Sequence, residues 1–397
     1  MSRASIEGSL RSRTVAGRAR RTPRFGSVRS LHFARDHGGN VLIIPFRSGI
    51  PPDARRSRSG APTRGGRPLP RPDEDDLVAR FFRPLATGAA ALGLTDDCAA
   101  LTPPPGCDLV LKTDAVAAGV HFFADDPWDL VARKALRVNL SDLAAKGAEP
   151  LGWMLSLALP DDWREDDLAR LSAGFAADQA RFGVSLLGGD TIRSPDGLML
   201  SITVLGAVPT GHMVRRAAAR PGDTLYVSGT LGDAALGLLA RLEPDRAAAC
   251  GLAAAEADHL ARRYLLPEPR LALAPALLAH ARAAMDLSDG LGLDLARMTR
   301  GAGVGALVEP TALPLSPAAR AVLAREPELV ERVVGGGDDY EILAAVPAEA
   351  RGPFEAAARA AGVPVAAIGR IEAGEGIRSR DAAGRETAYV PRGFRHF

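Results

Sequence analysis

The sequence predicts a two-domain α/β or α+β protein, and three observations carry that class. The chain is 397 residues long, enough for two ordinary buried cores. Apolar residues at helical spacing alternate with short strand-like apolar runs in both halves. Near the middle, Pro221-Gly222-Asp223 interrupts the pattern as a domain boundary would.

The elements follow in order from about Asp73. Asp73-Glu74-Asp75-Asp76 precede Leu77, Val78, Phe81 and Phe82, a helical apolar face with acids at its N-terminus. A loop with Asp96-Asp97 leads to a strand, Leu109–Thr113, that ends at Asp114. Leu130, Val131, Lys134, Ala135, Val138 and Leu143 are in helical register, so 128–147 reads as a helix. A strand over Leu151–Leu159 is bounded by Pro150 and Pro160. A helix over 166–182 then leads to Val184–Leu187, which stops at Gly188-Gly189-Asp190, and Leu198–Val208 is a further strand. Beyond the boundary, Thr224–Val227 reads as a strand and a helix opens near Gly232-Asp233. Further helices are expected near 254–264, 268–282, 290–301, 317–325 and 348–361. Strands are expected near 304–309, 341–346, 365–371 and 387–390. The resulting partition is 1–70 as an extension, 71–215 as the first domain and 216–397 as the second.

Charge sets the extension apart. Residues 1–70 hold 15 Arg and three acids, a net +12, whereas the rest of the chain carries −10. The segment is rich in Ser, Gly and Pro and lacks a sustained apolar period, so it is expected to be largely disordered. It reads as a basic arm for nucleic acid, an organelle transit segment, or an idle extension from a start codon set too far upstream. Arg outnumbers Lys 46 to three throughout, so Arg density alone is weak evidence of a binding role.

The remaining composition excludes several classes. Apolar residues make up 47% and charged residues 24%, a globular balance. No run of about 18 apolar residues occurs, so no membrane span is expected. Cys98, Cys107 and Cys250 are isolated, form no zinc or disulfide spacing, and fit a reducing cytoplasm.

Acids at element ends carry the chemistry: Asp96-Asp97, Asp114, Asp142, Asp190, the pair Asp286 and Asp289, and Asp338-Asp339. Each alone is an ordinary turn, cap or solvated-face residue. Together they recur after apolar runs in both halves, usually beside Gly, Ser or Thr. Converging carboxylates need a cation, and Mg²⁺ takes oxygen ligands shared with phosphate. Glycine before an acid lets backbone approach a phosphate. A polyphosphate–Mg²⁺ site therefore stands against the plain reading of caps and turns. The sequence has no G-x-x-x-x-G-K-[ST], no G-x-G-x-x-G after a strand, no G-x-S-x-G and no H-E-x-x-H.

Five ordered strings narrow the choice. Thr113–Phe122 (TDAVAAGVHF), Lys134–Pro150 (KALRVNLSDLAAKGAEP), Gly188–Thr191 (GGDT), Met285–Leu291 (MDLSDGL) and Gly335–Glu341 (GGGDDYE) resemble thiamine-monophosphate kinase in order and spacing. The similarity spans about 73–397, including the closing Gly393–Phe397. That family belongs with aminoimidazole-ribonucleotide synthetase and selenophosphate synthetase, which bind ATP without a P-loop. The resemblance implies an α/β N-terminal domain that pairs in a homodimer through a shared β-barrel, followed by an α+β domain. It implies ATP-dependent phosphorylation of thiamine monophosphate to thiamine diphosphate, with several Mg²⁺ ions and no membrane or nucleic-acid partner.

Carried over residue by residue, the resemblance makes Asp97, Thr113, Asp114, Asp142, Asp190, Asp286 and Asp289 the Mg²⁺ ligands. Gly189, Asp190, Arg216 and Ser288 would contact ATP. His121, Asp338 and Phe394 would face the thiamine moiety. Four features depart from the family. Thr95 replaces the usual Gly before the first Asp-Asp, and Lys112 stands where Ser is common. Asp338 occupies a position where Glu is also used, and residues 1–70 have no counterpart. The two sister synthetases fit less well. No Cys lies at a reactive N-terminal position beside a Lys, and no G-x-G-T-K-like loop lies near Asp114. A non-catalytic nucleotide- or RNA-binding protein using the basic tail is the alternative of a different class. It predicts that removing 1–70 abolishes function and that binding falls steeply with salt.

Overall fold

The computed structural model describes residues 72–391 and 393, together with two strands in the basic tail. These are β1 (His32–Arg35) and β2 (Val41–Ile44), an antiparallel pair with His32 opposite Ile44. The tail was expected to be largely disordered; within it Val41-Leu42-Ile43-Ile44, a short aliphatic run of high strand propensity, pairs with His32–Arg35. The remainder of residues 1–71 lies outside the described residues.

The first half of the body opens with α1 (Glu74–Leu77). Asp73 caps it by accepting from the Asp76 N–H at 2.9 Å, and the helix continues as a wider turn through Phe82. Then come β3 (Cys107–Ala117), α2 (Trp128–Ala145), β4 (Glu149–Pro160), α3 (Glu165–Phe182), β5 (Leu186–Ser194) and β6 (Met199–Pro209). The four strands form a mixed sheet in the order β3-β6-β4-β5, in which only β4 and β5 run parallel.

Leu136, Leu140 and Leu143 of α2, with Leu168, Leu171 and Phe175 of α3, bury one sheet face together with Trp153, Leu200, Ile202 and Val204. The Trp153 and Phe175 rings lie 4.6 Å apart, and the Trp153 indole donates to Gln179 at 3.0 Å. Two strands extend beyond their expected ends. The β3 ladder passes Asp114 to Ala117, and β5 passes straight through Gly188-Gly189-Asp190. A Cβ on Gly189 would lie 1.9 Å from the Leu155 carbonyl oxygen, so this glycine serves close strand approach rather than a turn.

The second half contains β7 (Thr224–Ser228), α4 (Asp233–Leu242), α5 (Pro244–Ala249), α6 (Ala254–Leu265), α7 (Ala274–His280), β8 (Ala283–Asp286) and α8 (Leu291–Ala302). It continues with β9 (Gly305–Val308), α9 (Pro317–Arg325), α10 (Val330–Gly335), β10 (Ile342–Val346), α11 (Arg351–Ala360), β11 (Val365–Glu372), β12 (Gly376–Arg380) and β13 (Glu386–Tyr389). Its sheet order is β13-β12-β9-β11-β7-β10-β8, antiparallel except for β12 beside β9. Strands β8 and β10 are buried along their whole length. Leu291, Leu295 and Met298 pack in one cluster with Leu225 and Leu343, while Leu277 and Phe354 pack in another with Tyr226 and Ala344.

Ala144 and Ala145, at the end of α2, sit in that second cluster beside Leu277 and Ile342. Helix α2 thus belongs to both cores. Among the described residues, no helix is long and apolar enough to cross a membrane.

Candidate active site

The site is organised by α2 lying against β3. Side chains alternate along a strand, so Val110, Lys112, Asp114 and Val116 share the face toward the helix. Asn139, fully buried on α2, accepts from the Asp114 N–H at 2.8 Å and donates to the Ala135 carbonyl at 2.9 Å. This fixes the acid-bearing point of β3 on the helix. Asp142, three residues on, shares that helix face. Lys112 Nζ lies 2.9 Å from Asp142 Oδ2 and 3.1 Å from Asp114 Oδ2.

The second half supplies Asp286, the last residue of β8, which is 7% exposed. Burial first, then the Asp142 charge, pushes its carboxyl well above the usual range, with the Ser141 hydroxyl working against them. Burial also raises Asp114, opposed by Lys112 and reinforced by Asp142 and Asp289. These four acids are therefore electrically one group. Lys146, one turn beyond Asp142, donates to the Ala284 carbonyl at 2.8 Å. Its pKa is lowered by burial and resisted by Asp286 and Asp142, while the Arg216 charge lowers it further. Arg297 engages both Asp289 and Asp294.

The loop carrying Ser288 and Asp289 clasps the loop after Gly335. The Ser288 carbonyl accepts from the Asp338 N–H at 2.9 Å, and a Cβ on Gly337, whose φ is +74°, would stand 2.4 Å from that carbonyl. Asp338 and Tyr340 hold left-handed backbone at φ 61° and 49°, strain of the kind that accumulates at ligand sites. Asp338 reaches Lys134 Nζ at 3.0 Å, and Lys134 also donates to the His121 carbonyl at 3.0 Å. Its ammonium stands 4.1 Å from the Tyr264 ring centre. Asp339 turns inward instead, accepting from the Gly232 N–H before α4, and Glu341 is buried between Arg263 and Arg270.

The acids and binding residues read from the sequence thus fall into three groups. Asp114 and Asp142 flank Lys112, with Asp286 within electrostatic reach of Asp142 and Asp289 of Asp114, while Arg216 acts on the neighbouring Lys146 and Ser288 precedes Asp289. His121 and Asp338 meet at Lys134. Asp97 and Asp190 line a separate cleft of about 220 Å³ with Glu74, Asp96, Gly189 and Thr191. Two strands separate β5 from β3, so that cleft lies roughly 14 Å from Asp114 at the usual strand spacing. The Thr113 hydroxyl bonds to the Ile202 carbonyl and to Thr203 on the opposite sheet face, away from the Asp114 carboxylate. Phe394 lies outside the described residues. Among the described residues, no three acidic, imidazole or thiol groups close around a common point.

Asn139, Lys134 and Lys146 were assigned no role by sequence reasoning. A signal existed, because the chain has only three lysines among 49 basic residues and all three stand here. A lysine presents a compact point charge where arginine presents a broad fork.

Comparison with known proteins agrees with this architecture. The model for AIR synthase related protein, N-terminal domain, matches residues 95–208, and that for the C-terminal domain matches 220–382. The fold is that of a two-domain AIR synthase-related protein. The "Thiamine-monophosphate kinase" of Caulobacter vibrioides is 46% identical over 314 residues, covering 77% of this chain and 86% of its own. A solved structure of thiamine-monophosphate kinase from Stenotrophomonas maltophilia is 38% identical with a TM-score of 0.68, covering 77% of this chain and 94% of its own. AaThiL, solved with AMPPCP and TMP, is 30% identical with a TM-score of 0.64, covering 76% of this chain and 91% of its own. The chain belongs to the thiamine-monophosphate kinase family.

Proposed function

We propose that the chain transfers the γ-phosphoryl group of ATP to the phosphate of thiamine monophosphate, giving thiamine diphosphate and ADP. The observation that carries this is the acid group beside Lys112, drawn from both halves: Asp114, Asp142, Asp286 and Asp289. The accepting group is a phosphate oxygen already anionic near neutral pH, so no strong base is required. Positioning and charge neutralisation then supply the catalysis.

The donor set suits Mg²⁺, because it offers carboxylate oxygens and no imidazole or thiolate. Asp97, Thr113, Asp114, Asp142, Asp190, Asp286 and Asp289 would hold the ions. Bound there, Mg²⁺ would neutralise phosphate charge as it shifts during transfer. Arg216, Ser288 and the Gly189-Asp190 backbone would hold ATP. His121 and Asp338, fixed through Lys134, would face the thiamine moiety with Phe394, and the Asp338 carboxylate would favour its positive ring.

The same reading includes a homodimer. The sheet face opposite α2 carries Leu109, Leu111, Met154, Ile192 and Met199, all at least 36% exposed. A four-stranded sheet with one apolar face bare suits pairing with a second copy. Such pairing could also bring the Asp97–Asp190 cleft of one chain toward the Lys112 group of another.

The test gives full-length protein and residues 71–397 ATP, Mg²⁺ and thiamine monophosphate, with thiamine diphosphate read by chromatography. Product from both that depends on Mg²⁺ and on the monophosphate is expected. Product from neither would remove the assignment. Loss of function with the tail, together with steeply salt-dependent RNA binding, would favour the basic-arm alternative.

A further inference from the structure

We infer that the Lys112 ammonium is a built-in cation of the acid group, seated between Asp114 and Asp142 where a divalent ion would otherwise bind. The inference rests on the proposed metal-assisted transfer and adds that this chain supplies one of the site's positive charges itself.

Geometry carries the inference first. Lys112 and Asp114 project from the same face of β3, and Asp142 approaches from α2, so the ammonium lies between two carboxylates at 3.1 and 2.9 Å. The strand and the helix are fixed to each other at the Asn139–Asp114 bond, which holds the two carboxylates at a set spacing. Lys112 is only one-third exposed, so its stem is packed along the strand rather than waving in solvent.

Electrostatics agrees. The Asp142 charge stands against that of both Asp114 and Asp286, and Lys112 relieves both.

Residue choice gives a third line. The chain uses Arg for 46 of its 49 basic residues, yet places a compact ammonium here. Lysine fits the space of a small ion; a guanidinium fork does not. With the ammonium there, a further divalent ion at the same point meets a like charge, and Asp114 and Asp142 keep their other carboxylate oxygens for the ions they would hold.

The alternative is a placeholder that swings away when metal arrives, and the count of bound ions separates the two. Full-length wild type and Lys112→Ser are titrated with Mn²⁺ at saturating AMPPCP, with free Mn²⁺ read by electron paramagnetic resonance and nucleotide alone subtracted. Circular dichroism melts establish that the variant is folded, and Lys112→Gln takes its place if it is not. One more Mn²⁺ per chain in the variant than in wild type is the expected result. Equal counts would overturn the inference while leaving the kinase assignment, judged separately by product formation, intact. No Mn²⁺ bound by either protein would sink the metal site and the inference with it.

Discussion

Lys134, on α2 of the first half, is bonded at 3.0 Å to Asp338, 204 residues away in the second. The lysine is 3% exposed and grips the His121 carbonyl as well, so one ammonium fixes two residues proposed to face the thiamine moiety. It also offsets the left-handed backbone of Asp338, a conformation that costs about 1–3 kcal/mol.

Lys134→Met should therefore act on substrate binding more than on chemistry. The expected result is a rise in KM for thiamine monophosphate of roughly tenfold, or about 1.4 kcal/mol, with a smaller change in kcat. Steady-state kinetics at saturating ATP measures it. A fall in kcat at constant KM would place Lys134 elsewhere in the reaction.

Asp142→Asn and Asp286→Asn should each abolish turnover without unfolding the protein. Asp286 is already disposed to be neutral by its burial, so a neutral amide of the same shape fits its surroundings. Metal-assisted charge stabilisation is worth several kcal/mol at about 1.4 kcal/mol per tenfold, so activity should drop ~100-fold or more. Near-normal kcat in either variant would take that residue out of the metal site.

The bare sheet face gives a prediction about assembly. Light scattering at micromolar concentration should give twice the 41.5 kDa chain mass. Leu111 is 64% exposed in one chain, and Leu111→Glu with Met154→Glu should return the mass to that of one chain. A wild-type protein that is monomeric under these conditions would remove the paired-sheet architecture.

Asp294 supplies a pH dependence. Burial pushes its carboxyl up to about 6 from 3.8, against the Asp289 N–H bond and Arg297 and with the Asp289 charge. The folded protein thus binds this proton more tightly than the unfolded chain does. Its contribution to stability is complete below about 3.8 and is lost as pH rises through about 6. The melting temperature of wild type minus that of Asp294→Asn should fall as pH is raised from 4 to 7. A difference that is flat, or that rises, would contradict the assignment.

Much of the framework could be read from periodicity. The helix expected over 317–325 is Pro317–Arg325, and that over 166–182 is Glu165–Phe182, because apolar spacing and proline punctuation agree there. Strands β8 and β12 went unread. Ala283–Asp286 is only four residues long and buried throughout, so it lacks the alternation that marks a half-exposed strand. Gly376–Arg380 carries charged side chains paired to Glu372 and Glu386 and resembles a loop in composition. The Gly188-Gly189 pair reads locally as a turn, because only the neighbouring strand's approach reveals why side chains are excluded. At the site, the acids were legible as element ends. Their division into a Lys112 group and an Asp190 cleft was not, since strand order is a property of the whole sheet.

Helix α2 carries a last consequence. Its Leu136, Leu140 and Leu143 are buried in the first core, and its final Ala144 and Ala145 in a core of the second half. Loosening either half would uncover part of the same rigid rod and weaken its hold on the other. The two halves, distinct in sequence, are thereby joined in folding: residues 72–391 should gain and lose their order as one cooperative unit, not as two domains melting in turn.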